Sequence, residues 1–180
     1  VDSALVGHLG RAQLAGLTLA STLLITAIGL FVFLAYATTA SVGRLIGAGR
    51  PQEAMRSGVE GRWLALAVGL LVGTIGFILA PQAIAAMGGT GEVAEHGAAY
   101  LRASLPGLPG MLLVLAATGV LRGMLDTRTP LLVAGIGAIV NAGLNVLFIY
   151  GFGWGIAGSG AGTALTQVGM GLVLAIRVAT

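Results

Sequence analysis

The sequence has no cysteine and no lysine, and charged residues of every kind make up only 8% of it. Without cysteine, the chain has no disulfide bonds and no thiolate metal site. Without lysine, it has no phosphate-binding P-loop, which requires one. The net charge of +3 is too small and too scattered for a nucleic-acid-binding patch. A typical soluble domain has roughly 25% charged residues, so these shortages indicate a membrane protein.

Apolar residues and glycine take the place of the missing types. Hydrophobic residues make up 57% of the chain and glycine contributes 31 residues, with a mean hydropathy of +1.00. Glycine allows membrane helices to approach one another closely. The sequence opens with Val1 rather than methionine and stops after an apolar segment, so we expect a fragment of a longer protein.

Long uncharged stretches define the candidate membrane spans. A transmembrane helix needs roughly 20 apolar residues. The stretches 12–43, 63–91 and 103–121 each accommodate one, and 129–176 accommodates two around a glycine-rich turn at 151–162. We therefore predict an all-α membrane protein, a polytopic helix bundle with spans near residues 17–43, 63–87, 99–124, 129–150 and 158–177.

The arginines predict how the bundle is oriented. Because successive loops alternate sides, seven arginines fall on one face, which we call the arginine-rich face: Arg44, Arg50, Arg56, Arg62, Arg122, Arg128 and Arg177. The opposite face has Arg11 and Arg102. Cytoplasmic loops carry an excess of basic residues, so we predict that the arginine-rich face is cytoplasmic.

Prolines and glycines predict local features of the helices. Pro106 and Pro109 should kink the third span, and Pro51 should open a short separate helix between spans. Thr129 followed by Pro130 is typical of a helix N-terminus. Glycines four residues apart in GxxxG patterns should mark close helix packing: Gly43/Gly47, Gly69/Gly73 and Gly119/Gly123.

No pattern in the sequence predicts enzyme chemistry. The GSGAG segment at 158–162 lacks the preceding strand and the lysine of nucleotide-binding loops. His8 and His96 have no paired metal-ligand spacing, and no nucleophile motif is recognisable. We therefore expect a protein that is not an enzyme, with no metal site and no cofactor.

Two primary amides interrupt the fourth span. In GIGAIVNAGLNVLFIYG, Asn141 and Asn145 are four residues apart, so they share one face of a helix, with Asn141 near its middle. A buried amide without partners costs several kcal/mol in hydrocarbon. The amides should therefore face protein or a wet cavity, and Gly137 should leave room beside them.

The last span repeats this spacing with Thr163 and Gln167. Two interpretations of these polar groups remain open. One is that they form interhelical hydrogen bonds that hold the bundle together, and the other is that they line a polar cavity for an ion or a substrate.

Asp2 is an acid within an apolar segment, VDSALVGHLG, which resembles the outer half of a span. Inside the membrane, an isolated carboxyl group can exchange a proton or hold a cation. The alternative is that water reaches Asp2 and that it only caps a helix.

Four segments follow one another along the chain: VDSALVGHLGRAQLAGL, ATTASVGRLIGAGR, GVLRGMLDTRTPLLV and NAGLNVLFIYGFGWGIAGSGAGTAL. In this order and spacing they resemble the multidrug and toxic compound extrusion (MATE) family of transporters. The DTRTP segment looks most like the branch named for a DNA-damage-inducible protein F. The resemblance covers essentially the whole chain.

The resemblance implies a transporter with twelve helices in two six-helix lobes. Residues 1–180 would then be most of the N-terminal lobe, from the end of helix 1 through helix 6. It also implies secondary transport in a bacterial inner membrane, exporting cationic or amphipathic compounds in exchange for H⁺ or Na⁺. The implied partners are the lipid bilayer, a small-molecule substrate and the missing C-terminal lobe.

Site residues carry over from the family by position. The resemblance implies four residues at the ion-coupling site: Asp2, Asn141, Asn145 and Thr163. Tyr100 and Thr118 match cavity positions on helix 4, and we expect Gln167 to line the same cavity. Some family members have an aspartate where Asn145 stands, so the resemblance does not determine whether H⁺ or Na⁺ is the coupling ion.

Two other functions remain as alternatives. A flippase for lipid-linked sugars belongs to the same superfamily, but such proteins often have a basic cavity, and no arginine falls in the middle of a span here. A non-transporting helical scaffold or lipid-handling protein would use the amides only for packing.

Overall fold

The computed structural model describes the backbone of residues 2–179, and every side chain in that range except those of Asp2, Ala4, Leu34 and Ala179. Within the range there are eight α-helices: α1 (Asp2–Val6), α2 (Arg11–Phe31), α3 (Phe33–Gly47), α4 (Pro51–Ala86), α5 (Gly91–Ser104), α6 (Leu108–Gly123), α7 (Arg128–Val146) and α8 (Gly155–Ala179). A 3₁₀ turn at Leu105–Gly107 joins α5 to α6, and a π-helical turn at Leu147–Gly151 extends α7.

The prediction of a helical bundle with five apolar spans is confirmed. Five stretches are long and apolar enough to cross a membrane: Arg11–Gly47, Pro51–Ala86, Gly91–Gly123, Arg128–Gly151 and Gly155–Val178. Each begins before its predicted first residue. At Pro51, Gly91 and Arg128 the helices continue through charged residues that the predicted bounds avoided, and α8 begins within the glycine-rich segment that was assigned to a turn.

Helix α4 shows why the charges misplaced a boundary. The sequence predicts a short separate helix after Pro51, and this prediction is wrong. Pro51 is instead the first residue of one helix of 36 residues, since proline is well suited to that position and no breaker follows it. The exposed ion pairs Arg50–Glu53 and Arg56–Glu60 accompany its first turns.

The first span is broken in its middle. Helix α2 ends at Phe31 and α3 begins at Phe33, with the Val32 N–H donating to the Gly29 carbonyl at 3.4 Å. Helix α2 packs against α5, whereas α3 packs against α4 and α6. The break therefore lets the two halves of the span follow different neighbours.

Pro106 and Pro109 kink the third span, as predicted. Proline lacks an N–H, so Pro109 cannot donate to the Leu105 carbonyl, which accepts the Leu108 N–H instead. After this turn, α6 runs through the centre of the bundle, packed against α3, α4 and α8, with ten of its residues buried.

Glycines bring the neighbouring helices close to α6. A Cβ atom on Gly119 would lie 2.6 Å from the Ala35 carbonyl oxygen, so only glycine allows this approach. Thr39 of α3 then donates from Oγ1 to the Gly119 carbonyl at 3.0 Å. The predicted packing role is confirmed for Gly119/Gly123 and Gly69/Gly73, whereas a Cβ on Gly47 would meet nothing within 4 Å.

The loop between α6 and α7 is organised by Asp126. Its carboxylate accepts hydrogen bonds from the N–H groups of Arg128 (3.1 Å) and Thr129 (3.0 Å) and from the Thr129 hydroxyl (2.6 Å). The predicted helix start at Thr129–Pro130 is therefore wrong: α7 begins at Arg128, and Asp126 binds its first N–H groups. The Thr129 hydroxyl, followed by the Thr129 N–H, lowers the pKa of Asp126.

Replacing Asp126 by asparagine should lower the thermal unfolding temperature at neutral pH. A lowered pKa in the folded state stabilises the fold above the ordinary carboxyl pKa, and this stabilisation is lost as the pH falls through the lowered value. The difference between the two proteins should therefore shrink between about pH 7 and about pH 3. Unfolding curves measured across that range test this, and a difference that stays constant with pH would contradict it.

Candidate functional site

Asn141 and Asn145 lie on the side of α7 that faces α8. Nδ2 of Asn145 donates to Oδ1 of Asn141 (3.4 Å), and Nδ2 of Asn141 donates to Oγ1 of Thr163 on α8 (3.2 Å). Asn145 is fully buried and Asn141 is half-buried. We call these three connected side chains the amide chain. The interpretation that the two asparagines face protein rather than lipid is therefore correct.

A glycine on α8 creates the space for this contact. A Cβ atom on Gly162 would lie 2.5 Å from Oδ1 of Asn145 and 3.3 Å from its backbone nitrogen. Helices α7 and α8 therefore approach closely at Gly162, one residue before Thr163. In hydrocarbon, where water cannot supply hydrogen bonds, this close approach is what gives the amides protein partners.

The expected space beside Gly137 is occupied. A Cβ atom on Gly137 would overlap the side chain of Met170, which reaches across from α8. The expectation that Gly137 leaves room beside the amides is therefore wrong, because a flexible methionine side chain fills the gap.

The short helix α1 is held next to α7 and α8. It packs against both, and the Tyr150 hydroxyl, in the π-helical turn, donates to the Leu5 carbonyl at 2.9 Å. Asp2 is the first residue of α1. Its carboxyl group lies outside the described residues, so its place relative to the amide chain stays a prediction.

Tyr100 is buried in an apolar cluster with Val6, Leu17 and Ile84. Its helix, α5, meets α8 at Gly160, where a Cβ atom would lie 2.8 Å from the Tyr100 carbonyl oxygen. Tyr100 thus lies close to the turn of α8 that precedes Thr163. The structure places its ring within this cluster, and a cavity-lining role for it stays a prediction.

A cavity of about 640 Å³ lies between α6, α7 and α8. Thr118 and Gln167 are both on its wall. The full lining consists of Met111, Val114, Thr118, Arg122, Thr127, Pro130, Leu131, Val133, Ala134, Gln167, Met170 and Leu174. Arg122 is in the last turn of α6, Thr127 is in the loop that follows, and Pro130 is in the first turn of α7. The cavity therefore extends toward the arginine-rich face.

Gln167 connects the cavity with the amide chain. It lies four residues after Thr163, and therefore one helical turn closer to the arginine-rich face. Its Oε1 atom is buried and has no hydrogen-bond partner among the groups that the structure describes. The structure thus brings Asn141, Asn145 and Thr163 together in one group and places Thr118 and Gln167 in an adjoining one.

Two serines near the amide chain escaped the sequence analysis. Ser104 and Ser159 are buried, and neither Oγ atom has a hydrogen-bond partner among the described residues. Ser159 lies four residues before Thr163, so Ser159, Thr163 and Gln167 form one polar stripe along α8. That spacing was visible in the sequence, but residues 151–162 were assigned to a turn, whereas α8 already begins at Gly155.

Comparisons with known proteins agree on one family. A family model described as MatE matches residues 1–147. DNA damage-inducible protein F of Escherichia coli (strain K12) is 28% identical over 168 residues, covering 93% of this chain and 37% of that protein. Multidrug resistance protein MdtK of Yersinia pestis (strain Pestoides F) is 28% identical over 180 residues, covering 98% of this chain and 39% of that protein.

Solved structures give the same result. One described as the inward-facing conformation of a multidrug resistance MATE family transporter of the MOP superfamily matches with a TM-score of 0.92 and 28% identity. The match covers 98% of this chain and 40% of that chain. The chain therefore spans less than half the length of the relatives that it matches. Together with its five apolar helices, these matches make it an integral membrane protein.

Replacing Gly162 by alanine should separate α7 from α8, because the new methyl group would overlap Oδ1 of Asn145. We expect destabilisation of about 1–3 kcal/mol, which is typical of overpacking. Gly169→Ala is the matched control on the same helix, since its Cβ would meet nothing within 4 Å. Thermal unfolding of both variants measures the effect, and equal unfolding temperatures would contradict the close contact at Gly162.

Proposed function

Since the chain belongs to the MatE family, we propose that it is the N-terminal lobe of a two-lobe secondary transporter. This transporter would export amphipathic compounds across the inner membrane in exchange for H⁺ or Na⁺. The observation that carries the proposal is the amide chain, which places buried, hydrogen-bonded polar groups between two apolar helices.

The lobe assignment rests on length and order. The chain covers 37–39% of the curated relatives, and its five spans follow one another without a long insertion. Residues 1–180 would then run from the end of helix 1 to helix 6, and a C-terminal lobe of the same protein would be the partner. Transport needs a pathway between two lobes, so the lobe described here would not transport alone.

We assign ion coupling to Asp2 and the amide chain. A primary amide both donates and accepts hydrogen bonds. Asn141 already does both, since it accepts from Asn145 and donates to Thr163. Such a chain can reverse its donors and acceptors when a nearby carboxyl group gains or loses a proton. It can equally present its oxygen atoms to Na⁺, a cation that prefers oxygen ligands.

The coupling would act through helix packing. Asn145 and Gly162 hold α7 against α8 at one point, and the cavity at Gln167 begins one turn away. A rearranged amide chain changes how tightly the two helices pack at that point. Protonation or ion binding would therefore favour one access state by its differential stability.

Replacing Asp2 by asparagine in the intact transporter should abolish coupled efflux, because the amide cannot exchange a proton. We expect at least a tenfold loss of initial rate, as is usual when a required acid–base group is removed. Efflux of ethidium from proteoliposomes, driven by a pH or sodium gradient, measures the effect. Glu92→Gln, an exposed acid in the first turn of α5, is the control. Unchanged coupled efflux would remove Asp2 from the mechanism.

A further inference from the structure

The short helix α1 ends with a carbonyl group whose hydrogen bond comes from another helix. In a continuing helix, the Leu9 N–H would donate to the Leu5 carbonyl, but it donates to the Val6 carbonyl at 2.9 Å instead. The last carbonyls of a helix need partners from outside it. The Tyr150 hydroxyl is such a partner, since it donates to the Leu5 carbonyl at 2.9 Å and so joins residues 145 positions apart. This hydrogen bond connects α1 to the end of α7.

Tyr150 reaches α1 from the π-helical turn at Leu147–Gly151. In this turn the Phe152 N–H donates to the Leu147 carbonyl at 3.0 Å, five residues back rather than four. A π-helical turn contains more residues than an α-helical turn, so Tyr150 is rotated relative to the face on which Asn145 lies. The turn begins two residues after Asn145. The amide chain and the contact to α1 are therefore carried by one continuous helical segment.

Contacts of the neighbouring residues fix this turn in place. A Cβ atom on Gly158 of α8 would lie 2.8 Å from the Phe148 carbonyl oxygen, so the two backbones touch there. The rings of Phe148, Phe152 and Trp154 pack on one another, with centroids 5.4 to 5.7 Å apart. Tyr150 is therefore held on a rigid support, although its own side chain is exposed.

Two contacts of different kinds hold α1 against its neighbours. Val6 belongs to the same apolar cluster as Ile149 and Ile156. Apolar contacts have no preferred direction, so this cluster keeps α1 close to α7 and α8 without setting its rotation. A hydrogen bond depends on both distance and angle. The bond from Tyr150 is therefore the contact that sets the orientation of α1.

We infer that Tyr150 is a positioning residue for ion coupling. Asp2 precedes Leu5 by three residues, which is about one turn of α1. The Tyr150 hydroxyl holds the Leu5 end of that turn, and thereby sets the position of the Asp2 backbone relative to the amide chain, without itself touching the ion. The inference rests on the proposed function, in which Asp2 and the amide chain couple transport to H⁺ or Na⁺.

A tyrosine near a membrane surface can also act only as an interfacial anchor. An anchor affects how stably the protein sits in the membrane, whereas a positioning residue affects how strongly the site binds its ion. Tyr150→Phe keeps the ring and removes only the hydroxyl group, and Tyr150→Leu removes both. Tyr36→Phe is the matched control, since Tyr36 is also exposed and lies on α3, in a different span.

The experiment measures initial rates of ethidium efflux from proteoliposomes that contain the intact transporter, at increasing concentrations of the driving cation. It yields the maximal rate and the half-saturating cation concentration. Tyr150→Phe should change the half-saturating concentration roughly fivefold, as expected when one hydrogen bond is lost, and leave the maximal rate nearly unchanged. If Na⁺ drives efflux, the concentration should rise, because ligands that are less well fixed bind more weakly.

The other variants separate positioning from anchoring. Tyr150→Leu should shift the half-saturating concentration as far as Tyr150→Phe does, and Tyr36→Phe should leave both quantities at their wild-type values. If Tyr150→Leu does not fold, the comparison of Tyr150→Phe with Tyr36→Phe decides alone. A protein that is merely less stable would lose maximal rate and keep its half-saturating concentration.

An unchanged half-saturating concentration in Tyr150→Phe would overturn the inference, and so would an equal shift in Tyr36→Phe. In both cases efflux by the wild-type protein remains ion-driven, so the proposed function stands. A wild-type protein without ion-driven efflux would instead contradict the proposed function and this inference together.

Discussion

The structure depends on one constraint, that a polar side chain inside hydrocarbon must find its hydrogen bonds within the protein. The amide chain meets this constraint between α7 and α8. Asn145 and Asn141 bond to each other, and Asn141 continues to Thr163 across the helix boundary. The contact needs a glycine at position 162, because a side chain there would overlap Asn145. The close packing of α7 against α8 therefore depends on both residues.

The same constraint relates the amide chain to the rest of the lobe. The stripe Ser159–Thr163–Gln167 extends the polar contacts along α8 in both directions. At its ends, the Oγ atom of Ser159 and the Oε1 atom of Gln167 are buried without a partner among the described residues. Buried polar atoms of this kind are usually satisfied by water or a ligand. The stripe therefore joins the amide chain to the cavity that extends toward the arginine-rich face.

Features governed by composition or by strong local chemistry could be predicted from the sequence. The number of spans followed from the gaps between charges. The shared orientation of Asn141 and Asn145 followed from their spacing and from the cost of burying amides. The kink followed from Pro106 and Pro109, whose missing N–H groups act in any context.

Features that depend on neighbouring helices could not be predicted in the same way. No proline marks the break at Val32, which accompanies a change of packing partner between α2 and α3. Met170 fills the space beside Gly137 from another helix. Asp126 rather than Thr129 organises the start of α7 because of the loop's conformation. Arg122 served only to predict the orientation of the bundle in the membrane. Its spacing of four residues from Thr118, which is itself four residues from Val114, already placed all three on one face of α6.

Replacement of Asn141 by leucine tests most directly whether the amide chain serves transport or only packing. Interhelical polar contacts in membranes contribute on average only about 0.6 kcal/mol. Our account therefore predicts a small fall in unfolding temperature together with loss of ion-driven efflux in the intact transporter. A large loss of stability with coupled efflux intact would contradict the account and would identify the amides as structural contacts of a helical scaffold.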